Sequence, residues 1–332
     1  MKYAAIALAT TILSLGSSAV HAQSNIKIYG VADGGIVIER GGVGGTNTYV
    51  SSGLNSGSRI GFKGTEDLGS GLKANFVIEG GVGIDTGASG QGGLTFGRQS
   101  FVGLSGDFGS LSVGRQYSAY YKALRDVADP FEDGLAGQAP NIMAAPRRID
   151  NSISFSSLRY AGWALDATYG AGEVAGNSTR KRSLSVATNY VQGPLAVVLA
   201  HHRKEDAVLD AHTRNSLATV RYTVGAYTGH LAYVQNRGAA GADSRDLLAG
   251  VSAEFGPHRF LGSVVDHQDR SKLNQDARQF GVAYMYALSK RTDVYTAYGH
   301  INNQNGAKFT VGNATDDGHT PTAFNLGMRH LF

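Results

Sequence analysis

The sequence predicts an all-β protein, a sixteen-stranded antiparallel barrel that crosses a membrane with its strands. Three observations predict it. Side-chain polarity alternates with a period of two through most of the chain. The breaks in that alternation are by turns tight and long, and no stretch beyond the N-terminal leader reaches the roughly 18 consecutive apolar residues that a membrane helix requires. Composition agrees, with 46 glycines, no cysteine and 17% charged residues in 332. Glycine at about twice its average usage weighs against a helical domain. Without cysteine there is no disulfide framework, thiolate zinc site, iron–sulfur cluster or Cys nucleophile.

The elements follow in order. Residues 1–22 read as a cleaved export signal: Lys2 supplies a positive start, residues 4–15 a short apolar core, and Val20-His21-Ala22 a small-residue exit. Its removal takes one of the 30 Lys and Arg and none of the 26 Asp and Glu. The remaining excess of positive charge is small, so no nucleic-acid partner is expected. The barrel then occupies 23–332. Alternation is clean in Ser58-Arg59-Ile60-Gly61-Phe62-Lys63, in residues 73–79 and in residues 324–332. Tight breakers fall at 66–71, 106–109, 156–160, 192–194, 224–226, 255–257 and 288–291. Longer polar stretches fall at 40–53, 83–93, 120–148, 171–182, 203–214, 236–245, 266–276 and 302–321. Seven short turns and eight long loops join sixteen strands of about 10 residues, the length and the even number of an outer-membrane barrel. Hydrocarbon offers no partner to a backbone N–H or C=O, so such a sheet survives only when closed. Tyr160, Tyr169, Tyr190, Tyr222, Tyr227, Tyr284, Tyr286 and Tyr295 lie near strand ends, where aromatic girdles sit.

Several motifs carry a family resemblance. Tyr29-Gly30-Val31-Ala32-Asp33, the run from Ser56 to Gly69 across the first turn, Val102-Gly103-Leu104-Ser105-Gly106 with Gly114-Arg115-Gln116, and Gly327-Met328-Arg329-His330-Leu331-Phe332 resemble the trimeric general porins of Gram-negative bacteria, and the β-proteobacterial branch in particular. The resemblance covers essentially the whole mature chain. It implies a homotrimer in the outer membrane, in contact with its lipid and lipopolysaccharide. It also implies a third external loop folded inward to narrow the pore, and a C-terminal Phe332 read by the barrel-assembly machinery.

Residues 118–149 hold that third loop, independently the longest irregular stretch and the kind that is usually functional. It carries the acidic cluster Asp126, Asp129, Glu132 and Asp133. For the opposite wall, Arg59 and Lys63 alternate with Ile60 and Phe62, so cations face the lumen if the apolar pair faces lipid. Arg148 alternates with Ile149 and should also point inward. Arg98 is placed inside by the family pattern alone. Arg115 shares parity with Leu111 and Val113 and is left out of the wall. Four cations against four carboxylates, with Lys122, Arg125 and Arg147 in addition, predict a transverse field and a mild preference for anions.

The resulting expectation is a passive channel for small hydrophilic solutes, with no cofactor and no metal. A substrate-specific channel is the nearest rival. A barrel protease or phospholipase is a distant one, with His201-His202 and His267 beside Asp266 and Asp269 as its first candidate pairs; no Gly-x-Ser-x-Gly elbow occurs in the sequence. A plugged adhesin would need an inserted plug domain, and the sequence has no spare segment for one.

Overall fold

The structure, a computed structural model, describes residues 25–42, 44–312 and 318–332. The export signal expected over 1–22 lies outside the described residues. Seventeen strands are hydrogen-bonded antiparallel to their neighbours: β1 (Asn25–Gly42), β2 (Gly45–Ser52), β3 (Arg59–Gly69), β4 (Leu72–Gly81), β5 (Gln99–Gly106), β6 (Gly109–Tyr117), β7 (Arg148–Ser156), β8 (Trp163–Gly170), β9 (Ser183–Gln192), β10 (Leu195–Glu205), β11 (His212–Val224), β12 (Tyr227–Arg237), β13 (Asp243–Phe255), β14 (His258–Asp269), β15 (Ala277–Ala287), β16 (Thr292–Asn303) and β17 (Gly318–Leu331). From β3 onward each pairs with the next, β2 and β3 both pair with β1, and β17 returns to β1 from Val31↔Leu331 to Arg40↔Thr322, which closes the ring.

Seventeen strands fill sixteen positions. Both β2 and β3 pair with β1, the former along Gly34 to Gly42 and the latter along Asn25 to Val31. They are two halves of one stave, interrupted where residues 53–58 leave the sheet. Here the expected loop at 40–53 is corrected, since β1 runs on to Gly42 and β2 resumes at Gly45. The same holds at 203–214, where β10 continues to Glu205 and β11 begins at His212. In each case the hydrogen-bonded strand runs on through the polar residues. Polar residues there mark a change of side-chain character, not the end of the hydrogen-bonded ladder.

One parity of every stave is apolar and exposed. Ile26 and Ile28, Val102, Val113, Leu199, Leu231, Leu247, Phe280 and Leu326 all lie on it, at exposures that would be anomalous in water and are ordinary against lipid. Trp163 with Tyr190 and Tyr227 with Phe255 form ring pairs at 4.9 and 5.5 Å at the short-turn end, part of the expected girdle. Tyr295 is the exception: it faces inward, almost fully buried, and donates to Asp33 Oδ1 at 2.6 Å.

The opposite parity packs on the segment between β6 and β7. Val198, Leu217, Ala232, Val234, Leu248, Val265 and Ile301 form one apolar cluster with Leu124, Val127, Phe131, Leu135 and Met143 of that segment. Because the exposed face is the outside of the ring, residues 118–147 lie inside it.

Candidate functional site

Two irregular segments enter the lumen, and each is fixed by its own polar contacts. Residues 53–58 turn inward at Gly53, whose φ of 69° suits glycine. The Asp33 carboxylate holds them, accepting from the backbone N–H of Asn55 at 3.2 Å and of Ser56 at 2.9 Å. The Ser58 hydroxyl donates to the Asp33 carbonyl at 2.8 Å.

The longer segment begins with a helix, Ala119–Ala123, capped by Ser118, whose hydroxyl accepts from Tyr121 N. It then crosses the inner wall from β9 to β16. Tyr120 N donates to Ser185 Oγ at 2.9 Å, His230 Nδ1 meets the Val127 carbonyl at 2.9 Å, and Arg259 pairs with Glu132 at 2.7 Å. Gln279 Nε2 donates to the carbonyls of Gly137 and Gln138 at 2.9 and 3.0 Å, and its oxygen accepts from Asn141 Nδ2 at 2.8 Å. Wall glycines let the segment lie close: a Cβ on Gly250 would fall 2.8 Å from Pro130 Cγ, and one on Gly281 would fall 2.5 Å from Gly137 Cα. Leu135 N donates to the Leu54 carbonyl, which joins the two inward segments.

Asp129 organises the middle of the loop. Its oxygens accept from the N–H groups of Phe131, Asp133 and Ala139, each at 3.0 Å, and it is fully buried. Burial pushes its carboxyl up to about 7, against the opposing pull of those three donors.

Between the loop and the wall formed by β3, β7 and the residues just before β5 lies a cavity of about 650 Å³. Arg59, Arg98, Arg125, Arg147 and Arg148 line it, and so do Asp126, Glu132 and Asp133. Most of these charges are paired. Arg98 Nε meets Glu79 at 2.8 Å, Arg125 meets Asp126 at 2.5 Å, and Arg147 meets Asp133 at 2.6 Å. Among the described residues, Arg59 and Arg148 have no carboxylate at ion-pair distance. Arg59 Nη2 donates to Ser56 Oγ at 2.5 Å, and Arg148 Nε donates to the Arg98 carbonyl at 2.8 Å.

Tyrosines fix the guanidinium planes. The Tyr117 hydroxyl accepts from Arg98 at 3.0 Å and from Arg148 at 3.2 Å, while its ring lies 4.8 Å from the Arg148 guanidinium. Tyr117 and Tyr121 stack at 5.2 Å, with Arg125 over both rings. Such contacts hold flexible cations in one geometry at little entropic cost.

Of the basic residues nominated from sequence, Arg59, Arg98 and Arg148 are brought together. Lys63 faces the lumen further toward the short turn, its Nζ 4.8 Å from the Tyr29 ring and away from the cavity. Of the acidic set, Asp126, Glu132 and Asp133 reach the cavity while Asp129 serves the loop's own fold. Lys122 turns away to Asp166 at 2.8 Å. Arg115 lies on the outward parity and pairs with Asp150. Phe332 exchanges backbone hydrogen bonds with Gly30, at 3.0 and 3.2 Å, and its ring is half exposed. Sequence reasoning missed Glu79, Tyr117 and Tyr121. Glu79 was open to discovery, since it continues the polar parity of Lys73 and Asn75. The tyrosines carried no such signal, because their role depends on the path of the loop.

The histidine pairs that a hydrolase would use are separated. His201 faces outward against Ser216, while His202 is buried on the opposite face. His267 bonds Asp246 at 2.5 Å rather than Asp266 or Asp269, and Asp266 is engaged by Arg278.

Comparison with known proteins gives a consistent picture. A family model described as Gram-negative porin matches residues 5–306. Outer membrane porin protein 32 of Delftia acidovorans is 28% identical over 359 residues, covering the whole of both chains. The major outer membrane protein P.IB of Neisseria meningitidis serogroup B is 28% identical over 346 residues, covering 96% of this chain and 98% of its own. Among solved structures, the anion-selective porin from Comamonas acidovorans superposes with a TM-score of 0.82 at 24% identity, over 93% of this chain and all of the other.

Proposed function

The chain belongs to the Gram-negative porins, and from that premise we propose that it forms a water-filled outer-membrane pore for passive diffusion of small hydrophilic solutes and ions, with a mild preference for anions. One observation carries the preference: five guanidiniums and three carboxylates converge on one cavity, and two of the five have no carboxylate partner. Arginine stays charged at any relevant pH, and low-dielectric walls focus its field onto the gap. An anion crossing there gains attraction from Arg59 and Arg148 that neighbouring acids do not cancel. A cation meets the same field with the opposite sign. The likeness in fold to a barrel described as anion-selective supports this reading.

Residues 118–149 act as the constriction; the loop acids Asp126 and Asp133 are largely neutralised by Arg125 and Arg147 of the same loop, so the field across the gap comes mainly from Arg59 and Arg148, and it orders water and favours dipolar solutes over apolar ones of equal size. Residues 1–22 are removed on export and 23–332 form the barrel. Three copies assemble side by side among outer-membrane lipid and lipopolysaccharide. Phe332, half exposed at the closing seam, is the element read by the assembly machinery. No cofactor or chemical step enters this reading. Reconstitution in a planar bilayer tests it: conductance in steps of three and a reversal potential of anion sign under a salt gradient are expected. A non-conducting bilayer overturns the channel reading, and a cation-signed potential overturns the preference.

A further inference from the structure

We infer that Asp33, itself out of reach of passing ions, is a positioning residue for the filter: it fixes the Arg59 guanidinium through Ser56 and so governs ion selectivity. The inference rests on the anion preference proposed above, in which Arg59 is one of two cations without a carboxylate partner. Asp33 stands where the divided stave leaves β1 without a neighbour. Pairing with β2 stops at Gly34↔Ser52 and pairing with β3 stops at Val31↔Arg59, so Ala32 and Asp33 face residues 53–58 instead of a strand. That segment satisfies the Asp33 backbone, whose N–H donates to Ser58 Oγ at 3.1 Å and whose carbonyl accepts from Gly53 N at 2.8 Å. The residue is fully buried.

A buried carboxylate is costly unless donors surround it. Arg329, opposite Asp33 on β17, does not serve, because it pairs with Asp293 at 2.7 Å. Neutral donors do: Asn55 N at 3.2 Å, Ser56 N at 2.9 Å and the Tyr295 hydroxyl at 2.6 Å. Two of the three are backbone groups of the indentation, and a side chain without an acceptor at position 33 would release both. The contacts then run on toward the cavity. Ser56, fixed by its own N–H, presents Oγ to Arg59 Nη2 at 2.5 Å, while Arg59 Nε has no partner. The other cations are held differently, Arg98 by Glu79 and Tyr117, and Arg148 by the Arg98 carbonyl and Tyr117. Loss of the Asp33 acceptor therefore frees Arg59 alone. Glu79 is the carboxylate whose charge bears on Arg59, so a freed guanidinium relaxes toward it and its field on the gap is partly cancelled. The charge of Asp33 has the opposite consequence, since neutralising an acid beside the lumen favours anions. Positioning and charge thus differ in sign.

Reversal potentials under potassium chloride gradients test this in Asp33→Ala, Asp33→Asn and Ser56→Ala, each made with Arg59 present and with Arg59→Ala. Asp33→Ala and Ser56→Ala should each shift the permeability ratio toward cations about twofold to threefold, less than the roughly fourfold that loss of one unpaired charge gives. Asp33→Asn should return to the wild-type ratio, because its oxygen still accepts from Ser56 N while its amide group donates to the Tyr295 hydroxyl. Once Arg59→Ala is in place, none of the three should move the ratio further. A ratio that rises toward anions in both Asp33 variants would make the residue a counter-charge and nothing more. Equal shifts with and without Arg59 would mean a general disturbance of the indentation, and an unmoved ratio in Ser56→Ala would break the chain of contacts. Each of these overturns the proposal, the last even if Asp33→Ala does not assemble. Modification by the arginine reagent phenylglyoxal, read by peptide mass spectrometry, needs no conduction: Arg59 should react about fivefold faster in Ser56→Ala, as suits the loss of one hydrogen bond, with Arg148 unchanged. Equal Arg59 rates overturn the proposal. A wild-type barrel that is closed or cation-preferring, yet shows the faster Arg59 reaction, refutes the reading of its function alone.

Discussion

Replacing Arg59 and Arg148 together by alanine should abolish the mild anion preference and turn the pore toward cations. Both guanidiniums line the cavity without a carboxylate partner, so each acts on passing ions nearly unopposed. An ion roughly 6 Å from a unit charge in a gap of water-like dielectric feels about 0.7 kcal/mol. Screening in about 0.1 M salt reduces that to about 0.4 kcal/mol. Each arginine then raises anion occupancy and lowers cation occupancy about twofold, so the permeability ratio changes about fourfold per residue and a little over tenfold for the pair. At about 0.01 M salt, where the Debye length is near 30 Å, the same estimate gives about fiftyfold. Reversal potentials under potassium chloride gradients measure the ratio directly, with Arg115→Ala as the control because Arg115 faces outward. An unchanged ratio in the double variant, an equal change in the control, or a shift that does not grow on dilution would refute the reasoning.

Four further outcomes are expected. Tyr117→Phe keeps the ring stack but removes the acceptor shared by Arg98 and Arg148, so anion preference should fall about twofold to threefold with conductance nearly unchanged, as suits hydrogen bonds worth about 1 kcal/mol net; reversal potentials identical to wild type would show that the hydroxyl does not position the cations. Gly281→Ala places a methyl against the Gly137 backbone, at an overpacking cost of about 1 to 3 kcal/mol, and should lift the loop and raise single-channel conductance; an unaltered conductance would mean that the wall yields instead. Asp129 is an acid whose folded pKa, about 7, lies above its ordinary value of 3.8, so its contribution to loop docking is full below the lower value, declines as pH rises between the two and is flat beyond; protease cleavage within 118–147 should increase over that window in wild type but not in Asp129→Asn, and parallel curves would remove Asp129 as the source. Phe332→Ala should lower the yield of assembled barrel in outer-membrane fractions several-fold while the refolded protein conducts normally; a normal cellular yield would argue against its role in recognition.

The staves were legible because their information is local. Ile60 and Phe62 against Arg59 and Lys63 give the faces of β3 without any knowledge of the rest of the chain, and the turns at 192–194, 224–226 and 255–257 carry their own glycines or prolines. Stave ends were less legible, since Arg40 and the residues that follow it read as loop although Arg40 remains paired in β1 and the ladder resumes at Gly45. Parity gives Arg59 and Arg148 one face, and both line the cavity, yet it says nothing of height along the barrel, and Lys63 shares that face at another level. The loop was the hardest part. Its four acids look equivalent in sequence, but Asp129 is consumed by three backbone donors, whereas Asp126 and Asp133 are matched by arginines of the same loop. Such pairings depend on how a segment of irregular backbone folds back on itself, and no periodicity encodes that.

The divided stave of β2 and β3 separates two properties that selection acts on differently. Because β1 is bonded along both halves and sealed to β17 on its other edge, the hoop keeps its mechanical continuity whatever residues 53–58 do. Those six residues support one side of the passage and contribute little to the wall's hydrogen-bond ladder. A lineage under pressure from a toxic solute can therefore remodel its filter through substitutions in this short indentation, without first solving again the problem of building a watertight cylinder.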